Sequence, residues 1–153
     1  MRSMVPGTFA LILAAALLPP PLAAQQPRTV NLVGTDTLTY SLPAISAKPG
    51  ELLQVVLRTM SMQPKTQLAH NFVLLRPAAD VDAFITAASR AKQAEYVPAD
   101  FKSHVIVATS MAGAGETVRA TFKAPAKAGT YPYVCSYPGH FGGGMKGTLI
   151  VRP

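Results

Sequence analysis

The sequence predicts an all-β fold: a two-sheet Greek-key β-sandwich with one helical flap. Three observations carry that prediction. Short runs rich in Val, Ile, Leu and Thr recur at roughly 8–12-residue intervals, punctuated by Gly and Pro. Only one stretch beyond the N-terminal segment has a strong helical apolar period. Cys135 is the single cysteine of 153 residues, so no internal disulfide is available and the core alone must hold the fold. The length and the absence of a compositional break predict one domain.

The chain opens with a segment that does not belong to the fold. Arg2 supplies a positive charge, and the apolar run over 9–18 is too short to span a bilayer comfortably. Leu22, Ala23 and Ala24 close it with small residues before Gln25, Gln26 and Pro27. Residues 1–24 therefore read as a signal peptide cut near Ala24, and 25–153 as the mature domain in the periplasm. The other reading is an uncleaved N-terminal anchor. No cysteine follows the run to carry a lipid.

The elements of the mature chain follow in order. Residues 29–33 alternate and form a first strand, and 34–36 a turn. Residues 38–42 and 44–46 continue extended, with Pro43 at an edge or bulge. A turn at 48–51 leads into the β-run 52–59. The loop 60–68 delivers the chain to Ala69, His70 and Asn71 at the mouth of an apolar strand ending at Leu75. Residues 80–94 form the helix, with Asp80 as N-cap and Val81, Phe84, Ile85 and Ala88 on one face. Strands follow over 104–108, 117–122 and 130–135, and the last runs over 147–151. No internal repeat or low-complexity tract interrupts the pattern.

The chemistry gathers on the loop before the last strand. Cys135 ends one β-run, Met145 opens the next, and His140 lies between them among Pro138, Gly139 and three consecutive glycines. Taken singly, a lone Cys or Met is usually apolar filler. Taken together, thiolate, imidazole and thioether are a soft donor set suited to copper, whose blue sites use two His, one Cys and a weak axial Met. One ligand is missing from the loop, and His70 is its best source. One cysteine excludes a two-cysteine binuclear centre. His104 reads as a surface residue, and Met60, Met62 and Met111 as core or loop filler.

Cys135-x4-His140-x4-Met145 followed by Lys146, Gly147 and Thr148 resembles the ligand loop of the cupredoxins, the small blue copper proteins, and most closely the azurin/auracyanin group. The spacing before Met145 is one residue longer than in azurins and matches auracyanins. His70-Asn71 resembles the upstream azurin ligand motif, with Phe72 where azurins commonly have Trp. The chain departs from azurins in lacking their disulfide and in carrying Ala69 where they have Gly before the first ligand.

The resemblance implies a mononuclear type 1 copper site: His70, Cys135 and His140 equatorial, Met145 axial. Asn71 would tether the ligand loop through Ser136, and the Ala69 carbonyl is a possible weak contact on the far axial side. It also implies a helical flap outside the sheets. The glycine run 142–144 means either a softened loop or turn geometry around the axial ligand.

The expected function is one-electron carriage between redox partners such as c-type cytochromes or respiratory or photosynthetic complexes, without enzyme activity, by a monomer. The alternative is copper binding and delivery. Removing Arg2 with the leader lowers the net charge from +7 to +6. Without Lys/Arg blocks or interleaved aromatics, this basicity argues against nucleic acid. It suits anionic partners or surfaces, or solubility alone.

Overall fold

The computed structural model describes residues 25–77 and 79–153, so the segment 1–24 lies outside the described residues. Among these, the strands are β1 (Arg28–Thr35), β2 (Ala44–Ala47), β3 (Leu52–Met60), β4 (Val73–Leu75), β5 (Val105–Ala108), β6 (Thr117–Lys123), β7 (Gly129–Val134) and β8 (Lys146–Val151), with one α-helix, α1 (Val81–Ala88). One sheet has the order β1-β3-β6 and the other β2-β8-β7-β4-β5. β1 runs parallel to β3 and β2 parallel to β8, while the remaining pairs are antiparallel. The all-β sandwich with one short helix is therefore the architecture of this chain.

Period-2 alternation puts the core between the sheets. Val30 and Leu32 of β1 point inward beside Val55 and Leu57 of β3, which are their register partners. Leu149 and Val151 of β8 close the core from the other sheet. β4 breaks the alternation: Val73, Leu74 and Leu75 are all buried. Leu74 faces the central core, while Val73 and Leu75 face a second cluster made with Phe84 and Ala88 of α1. The helix thus lies on the outer face of the five-stranded sheet, and a fully buried side chain such as Phe84 contributes about 1.5–3 kcal/mol there.

Three expectations need correction. The helix ends at Ala88 rather than near residue 94. Asp80 caps it as expected, accepting from the Ala83 N–H, but the apolar face runs out at Ala88 and only a separate 3-10 turn, Lys92–Ala94, follows. The stretch 38–42 is not a strand. Leu38 has φ 56°, which breaks the extended run, and only an isolated bridge from Tyr40 to Gly34 remains. His104 ends a 3-10 helix, Ala99–His104, and does not open β5. No helix among the described residues is long and apolar enough to cross a membrane.

Candidate metal centre

The register brings the C-terminal ends of β1, β3 and β7 and the N-terminal ends of β4 and β8 to one pole of the sandwich. Four chemistry-bearing residues meet there. His70 enters just before β4, fixed by a two-way bridge with Ala112: its N–H donates to Ala112 O at 2.9 Å and its carbonyl accepts from Ala112 N at 2.8 Å. Thr59 at the end of β3 anchors that bridge by donating its hydroxyl to the same Ala112 carbonyl at 2.9 Å. Cys135 follows β7, and Met145 precedes β8.

The loop between them is closed by its own backbone. The Cys135 N–H donates to Met145 O at 3.1 Å, Met145 N–H to His140 O at 2.9 Å, and His140 N–H to Tyr137 O at 3.1 Å. Two of the three glycines have local causes. Gly144 has φ 106°, which L side chains avoid, and any side chain at Gly143 would run into Leu38. A Cβ on Gly142 would meet only ordinary contact. Turn geometry therefore accounts for Gly143 and Gly144, not for Gly142.

His70, Cys135 and His140 are all buried, and their donor atoms face one another. The two Nδ1 atoms are 3.1 Å apart, and the Cys135 Sγ lies 3.4 Å from His140 Nδ1 and 4.0 Å from His70 Nδ1. A first-row ion at about 2.0 Å from two nitrogens and about 2.3 Å from sulfur in a trigonal plane would set these separations near 3.5 and 3.7 Å. The donors fit one ion.

Met145 is fully buried beside them. Its terminal methyl and the His70 ring both lie over Gly34, where an added Cβ would meet each at 2.8 Å. Met145 is thus held at the same pole by the absence of a side chain on β1. His70 Nε2 is buried with no hydrogen-bond partner.

Asn71 and Ser136 meet face to face. Asn71 Nδ2 donates to Ser136 Oγ at 2.8 Å, and the Ser136 N–H donates to Asn71 Oδ1 at 2.9 Å. This pair of hydrogen bonds ties the segment entering β4 to the residue after Cys135. Tyr40 adds its hydroxyl to the Asn71 carbonyl.

Burial sets the protonation states. It pushes His70 and His140 down to about 4, aided at His140 by the neighbouring His70. It pushes the Cys135 thiol up to about 11, against the opposing pull of backbone N–H groups of Asn71 and Tyr137. Without a cation the three groups are neutral, and a cation would be needed to hold the sulfur as thiolate.

Other sequence readings sort plainly. His104 sits beside Phe101 and takes no part in the cluster. Met111 is buried, but Met60 and Met62 are not core: they are 54 % and 93 % exposed. Sequence reasoning missed Gly34, Tyr40 and Thr59, whose roles depend on neighbours far along the chain. No local signal marks them.

A Greek-key sandwich with one buried two-histidine, one-cysteine cluster at its pole defines the cupredoxin class. The family described as copper binding proteins, plastocyanin/azurin family, matches residues 28–152, and this chain belongs to it. Its cofactor is copper. Auracyanin-B of Chloroflexus aurantiacus is 45% identical over 119 residues, covering 77% of this chain and 49% of that protein. Azurin of Achromobacter denitrificans is 36% identical over 149 residues, covering 94% of this chain and 95% of that protein. The chain spans about half the length of the two Chloroflexus auracyanins it matches. Among solved structures, the dithionite-reduced auracyanin of Roseiflexus castenholzii superimposes with a TM-score of 0.69 at 32% identity, covering 84% of this chain and all of that one.

Proposed function

We propose that His70, Cys135 and His140 bind one copper ion equatorially, that Met145 is its weak axial ligand, and that the protein carries single electrons between redox partners. The observation that carries this reading is the convergence of three buried donor atoms within 4.8 Å of one another, two from the closed loop and one, His70, from the segment before β4. Bound copper supplies a one-electron Cu(I)/Cu(II) couple, and two nitrogens with one thiolate are acceptable to both states. The chain's part is to hold the donors still. Asn71 and Ser136 fix the Cys135 loop against β4, and the Ala112 bridge fixes His70.

Burial supports a carrier rather than an enzyme. His140 is the most exposed of the three ligands at 5 %, so no substrate-sized molecule reaches the ion. The mature domain is 25–153, exported to the periplasm after removal of 1–24. Its partners are c-type cytochromes or respiratory or photosynthetic complexes, met as a monomer. Electrons enter and leave through the edge of His140, while Phe141, the next residue, packs with the α1 cluster.

The test is the visible spectrum of the Cu(II)-loaded protein. An intense sulfur-to-copper charge-transfer band is expected, and Cys135→Ser should abolish it while leaving the fold. A folded, colourless wild type overturns the reading.

One observation favours a second reading, copper delivery. Exposed Met60 and Met62 line a cavity of about 390 Å³ together with Asp36, offering thioethers to solvent. Loss of Cu(I) to a competing chelator within minutes would favour delivery, and retention over hours would favour carriage.

A further inference from the structure

Beside the ligand loop, two tyrosines extend the aromatic surface of His140 sideways. The Tyr137 ring centroid lies 4.6 Å from that of His140, and the Tyr96 centroid 5.2 Å from Tyr137 in an edge-to-face arrangement. Both spacings fall within the contact range of aromatic pairs. Tyr137 and Tyr96 are each partly exposed and line a cleft of about 280 Å³ with Lys65, Thr66, Lys92 and Met111.

The placement of Tyr96 is enforced against local preference. Glu95 and Tyr96 have φ 50° and 61°, consecutive left-handed conformations that non-glycine residues avoid. Contacts from the site's own neighbours hold this turn. The Met111 N–H donates to Glu95 Oε2 at 3.2 Å, and Asn71 Nδ2 approaches the Glu95 carbonyl at 3.5 Å. Tyr137 is pinned by its hydroxyl donating to Thr66 O at 3.3 Å. A strained turn maintained by residues packed against a site is the pattern expected where geometry serves function.

We infer that Tyr137 and Tyr96 form a lateral electron path from the flap-side cleft to His140, a port separate from the histidine's own edge. This rests on the carrier reading above. With copper held by His70, Cys135, His140 and Met145, the one electron lost by a donor seated at the cleft would be the one taken up at that site, through Tyr96, Tyr137 and His140 in turn. The phenols remain neutral, keep their protons and serve only as the medium between. The arrangement gives the protein two approaches, so that a donor and an acceptor need not compete for the same few atoms.

The experiment uses the full, copper-loaded chain carrying a ruthenium polypyridyl photosensitiser on the Lys92 amine, and a second isomer labelled at Lys146. Lys146 places its ammonium 4.7 Å from the Phe141 ring centroid and is not among the cleft-lining residues. After a flash, Tyr96→Ala should slow transfer from Lys92 several-fold and leave transfer from Lys146 unchanged. Tyr96→Phe, which keeps the ring, should restore the Lys92 rate. The visible band and reduction potential are measured on each variant, and both should stay at wild-type values. A normal band with an unaltered Lys92 rate in Tyr96→Ala overturns the path alone. Equal slowing from both labels, or a shifted potential, overturns it in favour of a purely structural tyrosine. Absence of the band in wild type overturns the carrier reading and the path together.

Discussion

At the level of single residues, the site is defined as much by a missing side chain as by its donors. Gly34 lets the His70 ring and the Met145 methyl share one space, and a methyl there meets both at 2.8 Å. Overpacking of this kind costs about 1–3 kcal/mol. Gly34→Ala is therefore expected to lower thermal stability by that amount and to shift the copper band, and wild-type values for both would refute the cradle. The titrating groups make a second prediction. His70 and His140, held near 4 against about 6.5 in an unfolded chain, are neutral in both states above pH 6.5. Below it the unfolded chain takes up protons first, so the metal-free fold loses stability as pH falls from about 6.5 to 4. Cys135, raised to about 11, keeps its proton while an unfolded thiol loses it, so stability also declines as pH rises from about 8.5 towards 11. Denaturant melts of the metal-free protein should give a maximum between these windows. Copper uptake near pH 7.5 should release one proton per ion, from sulfur and not from imidazole. Calorimetry in buffers of different ionisation enthalpy counts it, and zero or two would contradict the protonation states assigned. The candidate donors His70, Cys135, His140 and Met145 stand out in the sequence because their chemistry is carried by residue type and spacing. Gly34 does not, since its reason lies 36 and 111 positions away.

Among elements, the ligand loop and β4 act as one unit through Asn71. Removing its side chain leaves the buried Ser136 N–H without a partner and frees the residue next to Cys135. An unmade buried hydrogen bond costs about 1–3 kcal/mol, and groups that orient a ligand typically govern 10–100-fold in metal affinity, roughly. Asn71→Ala should weaken copper binding by that factor in a competitive titration while the β content stays unchanged. Unaltered affinity would mean the loop is held by its backbone bonds alone. The strands were legible to within a residue or two where apolar alternation was clear, as in β3 and β6. The helix is shorter than its sequence pattern because the alanines continue past residue 88 while the buried face does not. The turn at Glu95 and Tyr96 has no sequence signal, because two non-glycine residues in left-handed geometry are imposed by their surroundings.

As a whole molecule, the sandwich should not need its metal to fold. Among the described residues, eighteen form the continuous buried cluster between the sheets, and the candidate donor set occupies one pole of it. Chelation is expected to leave the far-ultraviolet dichroism intact and lower the melting temperature, because binding to the folded state alone adds about 4 kcal/mol at a thousand-fold excess over Kd. Collapse of the dichroism on metal removal would show instead that copper organises the core. By itself the amino-acid order determined the fold class, the strand-and-turn rhythm and which residues are the candidate donors, since periodicity and residue chemistry are local properties. Only the folded structure decided the parallel pairings of β1 with β3 and β2 with β8, the seating of His70 against the Cys135 loop, and the tyrosine stack beside it. Those depend on contacts between residues dozens of positions apart, and such contacts exist only once the two sheets have closed on one another.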